Sequence, residues 1–133
     1  MTTHLLDANV LIALTVEEHE HHLSVVAWLT TVETVAVCPI VEGALMRFLV
    51  RIGESVSGAT GALRLLHANP RCEFWPDSVS YADADTSEVR GHRQVTDAYL
   101  VALVAARGNA RLATLDQALS KASPALTTLI KQR

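Results

Sequence analysis

The fold is decided by the stretch His4-Leu5-Leu6-Asp7-Ala8-Asn9-Val10-Leu11-Ile12, near the start of the chain. The short apolar run at residues 4–6 is typical of a central strand in a parallel sheet. Asp7 closes this strand, and a helical segment follows from Val10 to Leu14. The stretch therefore predicts an α/β fold in which Asp7 lies at the carboxyl end of the first strand.

Strands and helices continue to alternate along the rest of the chain. Further strands are predicted at 35–38, 72–75 and 111–114, with an edge strand at 127–131. Helices are predicted near 21–31, 39–52, 56–67, 95–106 and 117–122, mainly from apolar residues at helical spacing. The polar stretch 81–93 is predicted to form a loop or a short helix. This alternation is typical of an open, mostly parallel sheet.

Length and composition limit the class of protein. A chain of 133 residues, half of them apolar, fits a single domain over residues 1–133. Its apolar stretches are shorter than the roughly 20 residues that cross a bilayer, and its first residues lack the charged start of a signal peptide. We therefore expect a soluble, cytoplasmic protein without a membrane segment. Cys38 and Cys72 have no C-x-x-C spacing and are expected to be buried thiols.

Four acidic residues lie at the margins of apolar segments: Asp7, Glu42, Asp97 and Asp116. The first and last end strands and the other two open helices, so a parallel sheet would place all four at its carboxyl edge, where ligands bind. Carboxylates grouped in this way repel one another unless a cation or a proton intervenes. Mg²⁺ and Mn²⁺ prefer oxygen ligands and assist the hydrolysis of phosphate esters. The pattern predicts a metal site for phosphodiester hydrolysis.

Each of these residues also has a simpler interpretation. An acidic residue at a helix start often caps the helix, and this role suits Glu42 and Asp97. Asp7 is the strongest candidate for chemistry, because Asn9 could supply any cap needed there. Two other functions stay open: a phosphatase that uses Asp7 as its nucleophile, and a non-catalytic module that binds a protein partner.

The formal net charge of −3 argues at first against a nucleic-acid partner, because phosphate binding usually requires a basic face. Two divalent cations held by the four acidic residues would change this balance to about +1 and concentrate the positive charge in the cleft. Net charge therefore does not exclude RNA or DNA.

Several basic residues are candidates for contacts with a substrate or a partner. Arg47 and Arg51 follow Glu42 on one predicted helix, at about 140° and 180° around it at 100° per residue, and so do not lie beside Glu42. Arg47 is a candidate contact for phosphate or for a partner's carboxylate, with a surface salt bridge as the alternative. His92, just before the Asp97 helix, is a candidate substrate contact or a loop residue.

Three histidines and three glutamates between residues 17 and 22 invite a zinc interpretation. The chain has no second group of ligands at a suitable spacing from them. We therefore expect a solvated helix start rather than a metal site.

Four separate blocks of the sequence carry a resemblance to one known family. The blocks are Leu5-Leu6-Asp7-Ala8-Asn9-Val10-Leu11-Ile12, Glu42-Gly43-Ala44-Leu45-Met46-Arg47, Gln94-Val95-Thr96-Asp97-Ala98-Tyr99-Leu100 and Leu112-Ala113-Thr114-Leu115-Asp116. They resemble the PIN-domain nucleases, and more narrowly the VapC toxins, and the match spans the chain from Thr3 to about Leu119 in the order and spacing of that family. The resemblance is specific because all four blocks agree.

The resemblance implies a three-layer α/β/α domain with a central parallel sheet. It implies an endoribonuclease that depends on Mg²⁺ or Mn²⁺, acts on RNA, forms a homodimer and is inhibited by a cognate VapB-type antitoxin. A basic side chain of the antitoxin would enter the acidic cleft, which is electrostatically favourable for a site that holds cations.

The resemblance also implies roles for individual residues. The family's acidic positions are matched by Asp7, Glu42, Asp97 and Asp116. Asp116 is the least secure of the four, because its contact with the metal could run through water. Asn9 and Thr114 match the small polar positions beside them, where Asn9 would orient Asp7 and the Thr114 hydroxyl would bind a carboxylate or a metal-bound water.

Overall fold

The computed structural model describes residues 1–132 and contains one sheet of five parallel strands. In spatial order the sheet is β3-β2-β1-β4-β5. The strands are β1 (Thr3–Leu6), β2 (Thr34–Val37), β3 (Cys72–Phe74), β4 (Ala110–Thr114) and β5 (Thr127–Leu129). The prediction of a mostly parallel sheet is confirmed, and every strand lies within one or two residues of its predicted position.

Six α-helices and two short 3₁₀ helices connect the strands. The α-helices are α1 (Ala8–Thr15), α2 (His22–Leu29), α3 (Pro39–Arg51), α4 (Val56–Ala68), α5 (Val95–Arg107) and α6 (Gln117–Ala122). The 3₁₀ helices, Tyr81–Asp83 and His92–Gln94, lie in the polar stretch that was predicted to be a loop or a short helix. No helix within residues 1–132 is long and apolar enough to cross a bilayer.

Helix α2 ends earlier than its apolar pattern predicts. The hydroxyls of Thr30 and Thr31 donate to the backbone oxygens of Ala27 and Trp28, at 2.7 and 2.6 Å. Such side-chain bonds to nearby backbone groups compete with the continuation of a helix. The predicted end at residue 31 was therefore too late by two residues.

The helices lie on both faces of the sheet. Connections between parallel strands are right-handed, so α1 to α4, between β1 and β3, cover one face, and α5 and α6 cover the other. The contacts agree: α1 packs on α2 and α3, and α3 on α4, whereas α5 contacts β4 and α6 contacts β4 and β5. The three-layer α/β/α architecture is confirmed.

The central strand is buried on both faces. Leu5 and Leu6 have no exposed surface, and neither has Leu112 of the neighbouring β4. From β1 the chain moves outward to β2 and β3, and from β4 it moves outward in the opposite direction to β5. The strand order thus reverses between β1 and β4, which is where open parallel sheets form their ligand-binding crevice.

Candidate active site

Asp7 lies at the point where the strand order reverses. It follows the last residue of β1, and only 6% of its surface is exposed. Its Oδ1 accepts from the backbone N–H of Ala8 at 2.8 Å, and its Oδ2 accepts from the Thr114 hydroxyl at 2.8 Å. Both carboxylate oxygens are therefore fixed, one by α1 and one by the end of β4.

Thr114 connects Asp7 to Asp116. Thr114 is fully buried, and its Oγ1 accepts from the backbone N–H of Asp116 at 3.0 Å while it donates to Asp7. The predicted bond from Thr114 to a carboxylate is thus present. Burial raises the pKa of Asp7, and the charge of Asp116 raises it further, while the bonds from Thr114 and Ala8 oppose the rise.

Asp97 joins the same group from the opposite layer. It lies in the first turn of α5 and is half-buried. Burial raises its pKa to about 6, and the negative charges of Asp7 and Asp116 contribute to the rise. The three aspartates therefore repel one another in a single cleft, as a cluster built to receive a cation or a proton would.

The capping roles are the reverse of those expected from the sequence. Asp7 caps α1, and Asp116 caps α6 by accepting from the backbone N–H of Leu119 at 3.1 Å. Within the described residues 1–132, no side-chain hydrogen bond caps the start of α3 or α5, so neither Glu42 nor Asp97 caps its helix. The argument that Asp7 is not needed as a cap was wrong. Capping accounts for Asp7 and Asp116 in part, but it leaves Glu42 and Asp97 unexplained.

Glu42 occupies a different part of the carboxyl edge. Its Oε2 accepts from Nε2 of His67, on α4, at 2.5 Å. Burial is the main cause that raises the pKa of Asp77 and of Cys72, and the negative charge of Glu42 raises both pKa values further. The structure therefore brings three of the four predicted acidic residues together and holds the fourth beside β3.

The other predicted positions lie around the cleft. Asn9 is exposed, and within residues 1–132 its side chain makes no hydrogen bond to Asp7, whose oxygens are held by Ala8 and Thr114. His92 is exposed in the 3₁₀ helix that leads into α5. Arg47 turns back along α3, because its Nη1 lies 3.3 Å from the place where a Cβ on Gly43 would be.

The guanidinium group of Arg47 thus lies beside Gly43, one turn earlier on the same face of α3. Long helical side chains lean toward the helix N-terminus, and an angle counted from Cβ positions does not describe this.

His19, His21 and His22 are half-buried rather than fully solvated, because each makes a contact within the protein. The rings of His19 and His21 lie 5.6 Å apart, and His22 contacts the backbone oxygen of Ala13. Among residues 1–132, no group of three or more His, Cys, Asp or Glu side chains is placed to hold a metal ion in the geometry seen. The carboxylates of the acidic cleft are among the groups that lack this geometry. In the cleft the fit to a cation rests on the donor set, three mutually repelling carboxylates that suit Mg²⁺ or Mn²⁺.

Two residues near Glu42 were missed by the sequence analysis. Asp77 follows β3 as Asp7 and Asp116 follow β1 and β4, so the same rule of strand ends would have found it. His67 had no comparable signal. It is a single histidine in the last turn of an ordinary amphipathic helix, and its partner is 25 positions away.

A groove of about 850 Å³ opens beside Asp97 and Asp116. Small residues of α5 and α6 form its floor, among them Ala98, Ala102 and Ala118. Further carboxylates lie along its other side, at Asp83, Asp85 and Glu88. The groove therefore combines an apolar floor with an acidic rim that continues the aspartate cluster.

The sequence and fold place the chain in a known class. Residues 4–123 match the sequence model of the PIN domain. The chain belongs to the PIN-domain family. Curated relatives that are named as VapC ribonucleases confirm its resemblance to the VapC group.

The curated relatives are VapC ribonucleases of Mycobacterium tuberculosis. Ribonuclease VapC29 of strain ATCC 25618 / H37Rv is 49% identical over 119 residues, which cover 89% of each chain. Ribonuclease VapC38 of that strain is 38% identical, with 84% of each chain covered. Ribonuclease VapC39 is 35% identical and covers 92% of this chain and 95% of its own.

A solved structure shows the same fold. A chain in the crystal structure of VapBC2 from Rickettsia felis, bound to a DNA fragment from their promoter, superposes with a TM-score of 0.66. The match covers 98% of this chain and 100% of that one at 14% identity. At that identity the likeness concerns the fold alone.

The raised pKa of Asp97 predicts a gain in stability on neutralisation. At pH 7, above both the folded pKa of about 6 and the ordinary value of 3.8, the ionised carboxylate destabilises the folded protein. We expect Asp97→Asn to raise the free energy of unfolding at pH 7 by about 1 kcal/mol, after allowance for its half-exposed side chain. The gain should shrink as the pH falls through 6 and be absent near pH 4, in urea titrations with chelator present.

The same substitution at Asp83 is the control. Asp83 is exposed, and Asp83→Asn should leave the unfolding midpoint unchanged at both pH values. An Asp97→Asn variant that is no more stable than wild type at pH 7 would contradict the repulsion within the cluster.

Proposed function

We propose that this protein is a metal-dependent endoribonuclease of the VapC type, the toxin of a toxin–antitoxin pair. The observation that carries the proposal is the cluster of Asp7, Asp97 and Asp116 at the reversal of strand order. Membership of the PIN-domain family and relatives named as ribonucleases support the reaction class. Mutual repulsion among hard oxygen donors supports a divalent cation as the missing partner.

Asp7 and Asp97 would hold Mg²⁺ or Mn²⁺, with Asp116 and Glu42 at its margin. Such an ion supplies an activated water and neutralises charge on the phosphodiester when it is bound. Asp97 is largely ionised at pH 7 with a pKa of about 6, so its oxygens are available to a cation. Thr114 fixes the direction of Asp7.

The enclosure of Asp7 favours this role over that of a phosphate acceptor. A nucleophilic aspartate needs a free oxygen that points at the phosphorus atom. Both oxygens of Asp7 accept hydrogen bonds, and the side chain is 6% exposed. A carboxylate held on both sides can still offer a remaining lone pair to a cation.

Arg47 would contact a phosphate of the RNA next to the scissile bond. Its guanidinium group lies beside Gly43 in the N-terminal half of α3, the helix that carries Glu42. A guanidinium matches the oxygens of a phosphate through paired hydrogen bonds. His92 is proposed as a second contact, from the entrance of α5.

A VapB-type antitoxin is the proposed partner. The groove beside Asp97 offers an apolar floor and an acidic rim, which suit a segment with small apolar residues and at least one basic side chain. Such a basic group in the cleft would take the position of the cation. We also propose a homodimer, in line with the family.

Neutralising the cluster should abolish catalysis without unfolding the protein. We expect Asp7→Asn and Asp97→Asn each to lower the rate of cleavage of a short RNA by more than about 100-fold. The loss of a residue that only hydrogen-bonds a metal ligand typically lowers activity by about 10- to 100-fold. Thr114→Val should fall within that 10- to 100-fold range, because it releases Asp7 but keeps the carboxylate. Rates are measured at several Mn²⁺ concentrations.

Circular dichroism and thermal unfolding show whether each variant is folded. The exposed Asp85→Asn serves as the matched control and should keep the wild-type rate. Cleavage at the wild-type rate by both Asp7→Asn and Asp97→Asn, or equal rates in Mn²⁺ and in chelator, would contradict the proposed function.

The placement of Arg47 predicts a specific loss of RNA affinity. In the cleavage-deficient Asp7→Asn background, Arg47→Gln should weaken binding of a fluorescent single-stranded RNA. It should also reduce the slope of log K against log salt by about 0.7, the value for one lost phosphate contact. Fluorescence anisotropy at several salt concentrations measures both quantities.

Arg51→Gln is the matched control for that measurement. Arg51 lies in the last turn of the same helix, away from the cleft, so its loss should leave the slope unchanged. Equal slopes for the Arg47 variant and its parent would rule out a phosphate contact by Arg47.

A further inference from the structure

The contact between His67 and Glu42 is a side-chain hydrogen bond at the edge of the cleft. The two atoms, Nε2 of His67 and Oε2 of Glu42, lie 2.5 Å apart. Because a carboxylate accepts, the imidazole must donate its N–H in this contact. One of the two oxygens of Glu42 is therefore already engaged by a protein group.

The imidazole is fixed from a second side. Its ring lies 5.6 Å from the ring of Phe74, between centroids, at an angle of 48°. Phe74 is the last residue of β3, and His67 lies in the last turn of α4. The packing of α4 beside β3 therefore determines where the N–H of His67 points.

Glu42 is more enclosed than its partner. The side chain of Glu42 is 14% exposed, whereas that of His67 is 45% exposed. Solvent competes weakly for the Glu42 carboxylate, so the donor that reaches it decides its orientation. In this arrangement that donor is His67.

The charge of Glu42 acts on groups at β3 rather than on the cluster of Asp7, Asp97 and Asp116. The groups that it affects are Cys72, the first residue of β3, and Asp77, which follows this strand. Within the described residues, the carboxylates that affect Asp97 are Asp7 and Asp116. Geometry and charge agree that the Glu42 carboxylate faces the β2–β3 side of the cleft.

We propose that His67 is a positioning residue that holds the Glu42 carboxylate on the β2–β3 side, so that Glu42 must break its contact with His67 before it can turn toward a divalent cation at the aspartate cluster. The inference rests on the proposed metal site. It adds that the free energy needed to break the Glu42–His67 contact lowers the net affinity of the wild-type site for the cation. Removing the imidazole N–H should therefore tighten cation binding, although His67 lies outside the aspartate cluster.

The test uses Mn²⁺ alone as the probe. Free Mn²⁺ is measured by electron paramagnetic resonance during titration of the full chain, without RNA. His67→Phe keeps a ring against Phe74 but removes the donor, and should tighten Mn²⁺ binding by about two- to fivefold, as expected for the loss of a partly exposed side-chain contact. His67→Gln keeps an uncharged donor and should lie between His67→Phe and wild type.

Two further variants separate this effect from a general change in structure. In a Glu42→Gln background, His67→Phe should have no effect on Mn²⁺ affinity, because the pair is already lost. His19→Phe is the matched control, since His19 also makes a ring contact at 5.6 Å, with His21, and lies outside the cleft. It should bind Mn²⁺ as wild type does.

A second readout follows the imidazole itself. The ring nitrogen signals of His67 in NMR spectra should shift when Mg²⁺ is added to wild type, because the cation takes its partner. They should not shift in the Asp7→Asn variant. If His67→Phe does not fold, His67→Gln and this NMR titration together provide the test.

The outcomes distinguish the inference from the proposed function. If Asp7→Asn leaves Mn²⁺ binding unchanged, the proposed metal site is wrong and the inference fails with it. If Asp7→Asn weakens binding but His67→Phe leaves it unchanged or weaker, the metal site stands and the role of His67 is wrong.

Discussion

The hydroxyl group of Thr114 holds the acidic edge of this protein together. It donates to Asp7 and accepts from the backbone of Asp116, and so connects the ends of the two strands between which the strand order reverses. Asp7 and Asp116 in turn cap α1 and α6, which lie on opposite faces of the sheet. One fully buried oxygen atom thus fixes both strand ends and the starts of two helices. Its loss would disturb all of them together.

The electrostatic repulsion among the three aspartates of the cluster is concentrated at Asp97. Asp7 has two hydrogen bonds that oppose the effect of its burial, whereas Asp97 caps nothing and carries the larger share of the uncompensated charge. A parallel sheet buried on both faces leaves little freedom for these groups to separate. The fold therefore keeps three negative charges close at a cost in stability. This cost is understandable if a cation is to be bound.

Much of the fold could be predicted from the sequence, because the signals are local. An apolar run that ends in an acidic residue identifies a strand and the edge it points to, as at Asp7 and Asp116. The partners of these residues depend on packing. Nothing near Glu42 in sequence indicates His67, because their contact requires α3 and α4 to lie side by side. The Arg47 side chain runs back along α3 toward Gly43, a direction that helix geometry favours but that an angle between Cβ positions does not give.

The two sides of the cleft differ in their charged groups. On the β1–β4 side, no basic group among residues 1–132 pairs with the facing carboxylates. On the β2–β3 side, Glu42 already has a partner in His67, and Arg47 lies beside Gly43 on the same helix. An approaching phosphate would meet the basic groups on one side and a cation on the other. Such an arrangement fits an anionic substrate that is held between two kinds of positive charge.

Anomalous diffraction from crystals soaked in Mn²⁺ tests the central claim most directly. The account predicts a peak at the carboxyl edge of the sheet, within bonding distance of the Asp7 and Asp97 carboxylates. It would be contradicted by a Mn²⁺-soaked crystal with no peak in the cleft, or with its only peak at the histidines of residues 19–22.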